Sequence, residues 1–216
     1  MKTAIFDLDG TIADTICDLG DAVNYGLEQL GCPVHDYAAY KKMVGNGAKK
    51  LCERALPEGE KYRAEELRSL FREYYSANYL DKTRLYDGIE EVLEKLQKKG
   101  VYLAVATNKP ESAARDIISA LLPGIDFVRV LGGRDDRPTK PDTAILTEIF
   151  AALPDKENEV YMIGDSNVDV QTAKNAGIRS IGCAWGFRGR AELEAEGADF
   201  IAEKPGDIAD IVLGKQ

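Results

Sequence analysis

The sequence predicts an α/β fold: a doubly wound, mostly parallel, Rossmann-like sheet with a separate helical domain inserted after the first strand. Short, nearly continuous apolar runs such as AIF, YLAVA and VYMI alternate with amphipathic segments. Strands buried on both faces read this way, because helices cover both sides of a parallel sheet. Between about residues 15 and 81 that alternation stops, and only helical patterning is present. Carboxylates, a hydroxyl and a lysine stand just after several of the apolar runs, at the strand ends where open α/β sheets bind ligands.

The first strand is predicted over 3–8. The helices that follow are separated by breaks at 31–33, 45–47 and 57–59, each containing glycine, proline or both. Among them Leu67, Leu70, Phe71 and Tyr74 form one helical stripe with Glu and Arg between, the pattern of a bundle core. In GIEEVLEKLQKKG, Ile89, Val92, Leu93 and Leu96 share a face and two lysines precede Gly100, so a helix is expected over 88–99. Strands are then expected over 101–106, 127–131, 160–163, 180–184 and 200–202, with helices over 111–122, 143–153 and 167–176. The expected domains are an α/β body, 1–14 with 83–216, and a helical insert, 15–82.

A chain of 216 residues with 44% hydrophobic content can bury a core without covalent staples. Its 28 basic and 37 acidic residues leave a net charge of −9, which argues against general nucleic-acid binding and against docking on anionic membranes. Cys17, Cys32, Cys52 and Cys183 form no CxxC pair, as in a reduced compartment. The opening MKTAIFDLDGT carries acid where a signal peptide needs an apolar run, and no apolar stretch approaches the ~20 residues of a membrane helix. A cytoplasmic protein is expected. No heptad seam demands a partner, so a monomer is the default and a dimer stays open.

The strand-end residues suit phosphoryl transfer. Asp7 and Asp165 can hold one hard cation through oxygen, as Mg²⁺ prefers, beside a substrate phosphate. An Asp carboxylate can attack phosphorus and form an aspartyl-phosphate. Asp9, two residues on, can protonate the leaving oxygen and later activate water. The Thr107 hydroxyl, with Gly10, Thr11 and Asn108 nearby, can hold phosphoryl oxygens, and Lys140 supplies fixed positive charge. A lone Asp after a strand is usually a turn or cap residue. The order and placement of the whole set favour chemistry.

These residues carry a resemblance to the haloacid dehalogenase-like superfamily of phosphohydrolases, end to end: DLDGT at 7–11, Thr107, Lys140 and GDSNVD at 164–169. The likeness implies Asp7 as nucleophile and metal ligand. It implies Asp9 as acid/base and, through its carbonyl, metal ligand. Asp165 would be a further ligand to Mg²⁺, and Asp169 would orient Lys140 or a metal-bound water. The insert resembles the family's mobile cap, with hinges near 13–16 and 82–86. Softer stretches, among them VGNGAKKLCERAL, LAVATNKPE, AWGFR and GADFIAEKPGDI, are similar to phosphoglycolate phosphatases. The implied substrate is a small phosphorylated metabolite, with 2-phosphoglycolate first. A sugar phosphatase, a pyrophosphatase and a β-phosphoglucomutase-like mutase remain alternatives, as does, from another class, a phospho-accepting signalling domain. Asp9 counts against a dehalogenase.

Around this set, Gly45, Asn46 and Gly47 form either a loop that reads the leaving group or an ordinary turn. Arg188 either meets substrate or pairs with a carboxylate. Lys109 either adds charge near phosphate or starts a helix. Thr143, where the family usually has Pro, is expected to cap the helix that follows. His35, the only histidine, falls in a loop, which argues against histidine-based chemistry. Cys183 reads as strand core.

Overall fold

The computed structural model describes residues 1–154 and 159–214. Six parallel strands form one sheet: β1 (Lys2–Phe6), β4 (Tyr102–Pro110), β5 (Phe127–Gly133), β6 (Glu159–Gly164), β7 (Arg179–Cys183) and β8 (Phe200–Ala202), in the order β5-β4-β1-β6-β7-β8. β1 therefore lies in the middle, between β4 and β6. The chain reverses its direction of travel across the sheet there, and a ligand crevice is expected at the carboxyl ends of these strands.

Helices cover both faces, which is why the strands read as apolar runs. On one face α5 (Ile89–Lys98), α6 (Glu111–Leu121) and α10 (Pro205–Leu213) pack against β1 and β4 through Leu93, Ile117 and Ile208. On the other, α7 (Ala144–Ala152) and α8 (Asn167–Ala176) cover Ile5, Ala104 and Met162. The expected stripe of α5 is buried in full, each of its four apolar residues being at most 4% exposed. A short α9 (Arg190–Ala195) and α10 extend beyond the predicted elements. At α7 the Thr143 side chain makes no cap bond; the Asp142 carboxylate accepts from the Ala144 amide at 2.8 Å instead.

The segment after β1 leaves and returns through a two-residue antiparallel ribbon, β2 (Ala13–Asp14) against β3 (Arg84–Leu85). Between them stand α1 (Ile16–Gln29), α2 (Tyr37–Met43), α3 (Gly47–Ala55), a 3₁₀ turn (Glu58–Arg63) and α4 (Ala64–Asn78), with an apolar cluster of their own around Leu27, Tyr40, Leu67 and Phe71. The buried line of α4 is Leu67, Phe71 and Tyr75, so Leu70 and Tyr74 flank it rather than lie on it. Asp18 of α1 ties the ribbon down. Its carboxylate accepts from the Lys82 amide, from the Thr83 amide at 2.8 Å and from the Thr83 hydroxyl at 2.7 Å. Among the described residues no helix is long and apolar enough to cross a membrane.

Candidate active site

β1, β4 and β6 deliver their terminal residues to one place. Asp7 follows β1, Thr107 lies in the last part of β4, which runs beyond its predicted end, and Asp165 follows β6. Lys140 arrives on the loop before α7, and Asp169 projects from the first turn of α8.

Lys140 is 2% exposed, and its ammonium lies 2.6 Å from Asp169 and 3.2 Å from Asp7. Burial works against its charge, but the two carboxylates outweigh that and raise its pKa. Asp169 is fixed in turn, because Oδ2 accepts from the Ser166 hydroxyl at 2.7 Å and from its amide at 3.2 Å. This is a capping-box arrangement at the start of α8. Asn108 holds the backbone around Lys140: Oδ1 accepts from the Lys140 amide at 2.8 Å, and Nδ2 donates to its carbonyl at 3.0 Å.

Asp7 is pushed up to about 6. Burial is the main cause, Asp169 and Asp9 add to it, and Lys140 and the Thr107 hydroxyl oppose it. Asp165 is raised well above the usual carboxylate range, again by burial first and then by Asp169 and Asp7. One carboxylate oxygen from each of Asp7, Asp165 and Asp169 lies within 4.8 Å of the others. Lys140 answers only part of that charge. An all-oxygen set with surplus negative charge suits a hard divalent cation.

The packing around Asp165 fits the same purpose. Its Oδ2 accepts from the Phe187 amide at 2.6 Å. A Cβ on Gly186 would stand 2.2 Å from the Asp165 Cβ, and one on Gly10 would stand 2.3 Å from its Oδ2. Gly10 also has φ +81°, a conformation that glycine adopts without strain. Two glycines thus clear the space that this carboxylate occupies.

Asp9 belongs to a second group. Its Oδ1 accepts from the Thr15 hydroxyl at 2.7 Å and from the Lys109 ammonium at 2.9 Å. That ammonium also donates to the Tyr75 hydroxyl on α4 at 2.5 Å. Lys109 thus starts no helix: it lies near the end of β4, lines the cavity and bridges Asp9 and the insert. Burial alone would lower its pKa; Asp9 and Tyr75 raise it.

The insert sits over this edge. Asn108 Nδ2 donates to the Gly45 carbonyl at 3.0 Å, and an Arg188 terminal nitrogen donates to the Val44 carbonyl at 2.8 Å. The result is a partly covered cavity of about 40 Å³ between insert and body. Asp7, Asp9, Thr107 and Asp165 line one side; Leu19, Val44, Gly45, Gly47, Leu51, Phe71 and Tyr75 line the other.

Three residues expected to bind substrate are arranged otherwise. The Gly10 and Thr11 amides are committed to the carbonyls of Ala13 and Leu8, at 2.9 and 3.2 Å. The Thr11 hydroxyl is buried without a partner, and neither residue lines the cavity. Asn46 turns its side chain to Arg54, at 2.8 Å, while its glycine neighbours line the cavity. Tyr75, Phe187 and Gly186 carry parts of the site that the motifs do not mark. Cys183 is fully buried in β7, His35 Nε2 donates to the Ala55 carbonyl at 2.7 Å, and neither lines the cavity.

The model of the haloacid dehalogenase-like hydrolases matches residues 4–183. The chain belongs to that family. Among its relatives within the family, a phosphoglycolate phosphatase of Vibrio parahaemolyticus is 33% identical over 98% of this chain and 96% of its own. One of Pseudomonas putida is 33% identical over 94% of this chain and 76% of its own. A candidate phosphoglycolate phosphatase from Lactobacillus delbrueckii, solved as a crystal structure, superimposes with a TM-score of 0.93 at 31% identity, covering 99% of both chains.

Proposed function

We propose that this chain is a Mg²⁺-dependent phosphatase that hydrolyses a small phosphomonoester, 2-phosphoglycolate first among them, through an aspartyl-phosphate. The observation that carries this reading is the cavity between insert and body, which Asp7 and Asp9 both line. The Asp7 carboxylate attacks phosphorus, and the bond to the leaving oxygen breaks. Asp9 gives that oxygen a proton. Asp9, now a base, takes a proton from water, which attacks the phosphoryl group and releases phosphate and Asp7. Thr107 and Lys140 hold phosphoryl oxygens, and Asp169 and Asn108 hold Lys140 in position.

Asp7 and Asp165, with the Asp9 carbonyl, would hold the Mg²⁺, which supplies positive charge to offset that of the phosphoryl group. Residues 15–82 act as a cap whose closure excludes bulk water while the intermediate forms. The side chains of Leu19, Leu51 and Phe71 on the cap side offer no hydrogen bonds to a sugar.

The test is phosphate release from a panel of phosphomonoesters and pyrophosphate, with Mg²⁺ and with excess EDTA. Turnover that needs Mg²⁺ and is led by 2-phosphoglycolate is expected. Undiminished turnover in EDTA, or in an Asp7→Asn variant, would overturn the mechanism; a lead by a sugar phosphate would overturn the substrate.

A further inference from the structure

Three buried or nearly buried cations stand at this site, and two of them are hydrogen-bonded to carboxylates. Lys140 is paired with Asp169 and Asp7, at 2.6 and 3.2 Å. Lys109 is paired with Asp9 at 2.9 Å, with the Tyr75 hydroxyl as a second acceptor. Arg188 differs. It lines the cavity with its side chain 15% exposed, and one terminal nitrogen donates to the neutral Val44 carbonyl. Among the described residues its nearest carboxylate partner is Glu192, 3.9 Å from Nε and beyond hydrogen-bond distance. A guanidinium has five N–H donors in a planar fork that matches a carboxylate.

The phosphoryl group already has Lys140, Thr107 and the cation site. The rest of the cavity wall is apolar at Leu19, Val44, Leu51 and Phe71 and polar at Tyr75, Asn108, Lys109 and Ser166. A second negative group on the ligand would therefore meet, at Arg188, the one of these cations that no carboxylate holds by a hydrogen bond, in a partly buried setting where a charge-assisted bond is strong. Arg188 is also anchored close to the chemistry. It follows Phe187, whose amide bonds Asp165, and its side chain reaches from there to the cap loop.

We propose that Arg188 reads a carboxylate on the leaving group and so makes the enzyme selective for phosphorylated short-chain carboxylic acids over neutral esters of equal size. The proposal rests on the phosphatase reading for its meaning, but not for its test. Because Arg188 also holds the Val44 carbonyl, the residue that recognises the substrate also helps hold the cap closed.

A matched pair of non-hydrolysable phosphonates decides it: 3-phosphonopropionate, which carries the carboxylate, and propylphosphonate, which does not. Calorimetric binding to the full chain in Mg²⁺ should favour 3-phosphonopropionate by about 30-fold or more, the scale of a partly buried charge pair. Arg188→Gln should bring the ratio to within about threefold, and Arg188→Lys should leave it between the two. Equal binding by the wild type, equal weakening of both ligands in Arg188→Gln, or binding of neither would overturn the proposal. Should Arg188→Gln not fold, the wild-type and Arg188→Lys ratios still decide. An enzyme that turned over no ester but kept the ratio would refute the phosphatase reading alone.

Discussion

Replacing Tyr75 with Phe removes a single oxygen from the interior and tests how the cap is held. That oxygen accepts from the Lys109 ammonium at 2.5 Å, and Tyr75 is only 4% exposed. Burial pushes its pKa up to about 12, so it remains a neutral phenol. The ring itself stays. It stacks on Phe71 at 5.0 Å and lies 4.8 Å below the Lys109 ammonium. The change therefore isolates one hydrogen bond to a buried charge, worth about 1.5–3 kcal/mol. For a chain of this size the melting temperature should fall by about 3–12 °C. Urea unfolding at fixed Mg²⁺ measures the loss directly. A double-mutant cycle with Lys109→Met separates the contact from the cost of leaving Asp9 unpaired, and should give a coupling of about 1.5 kcal/mol or more. A Tyr75→Phe protein within about 0.5 kcal/mol of wild type, or an additive cycle, would refute the bridge.

Gly186→Ala should displace Asp165, since the new Cβ would stand 2.2 Å from that residue's Cβ and 2.5 Å from the Gly10 carbonyl oxygen. The Mg²⁺ needed for half-maximal activity should rise about tenfold or more; an unchanged requirement would show that Asp165 does not hold the cation. The pH dependence of stability follows from Asp7, raised from 3.8 to about 6, and from Asp165, raised as well. Between about pH 4 and about 6 the folded state holds more protons than the unfolded chain, so metal-free stability falls as pH rises through that window. Mg²⁺ competes with those protons, so it should raise the melting temperature more near pH 7.5 than near pH 5; the reverse order would remove both residues from the cation site.

Much of the sheet was legible because its strands are buried on both faces and leave a local mark, as in YLAVA. The four motifs were legible for a related reason: parallel strands place their ends together, so Asp7, Thr107 and Asp165 converge without long-range information. The contacts between insert and body left no such mark. Tyr75 is one turn from Phe71 and looks like core, and only the tertiary fold brings it to Lys109. Asn46 followed its neighbours into the expected loop, but a side-chain amide is as well satisfied by Arg54. Thr11 sits in the motif, yet the tight turn after Asp7 spends its amide on the Leu8 carbonyl.

The interrupted first strand has a consequence for how the chain is made. β1 leaves the ribosome first, but its two sheet neighbours begin only at Tyr102 and Glu159. The helices between Ile16 and Asn78 need no such wait, because their cluster is drawn almost wholly from that continuous stretch. The first unit able to bury an apolar interior is therefore the one inserted into the other. The central strand stays unpaired until nearly half of the chain has followed it out, and then closes contacts of long sequence separation, the slow kind to form. The polar ribbon and Asp18 keep the two ends of the helical unit side by side meanwhile, which shortens the effective loop that β1 must close to reach β4.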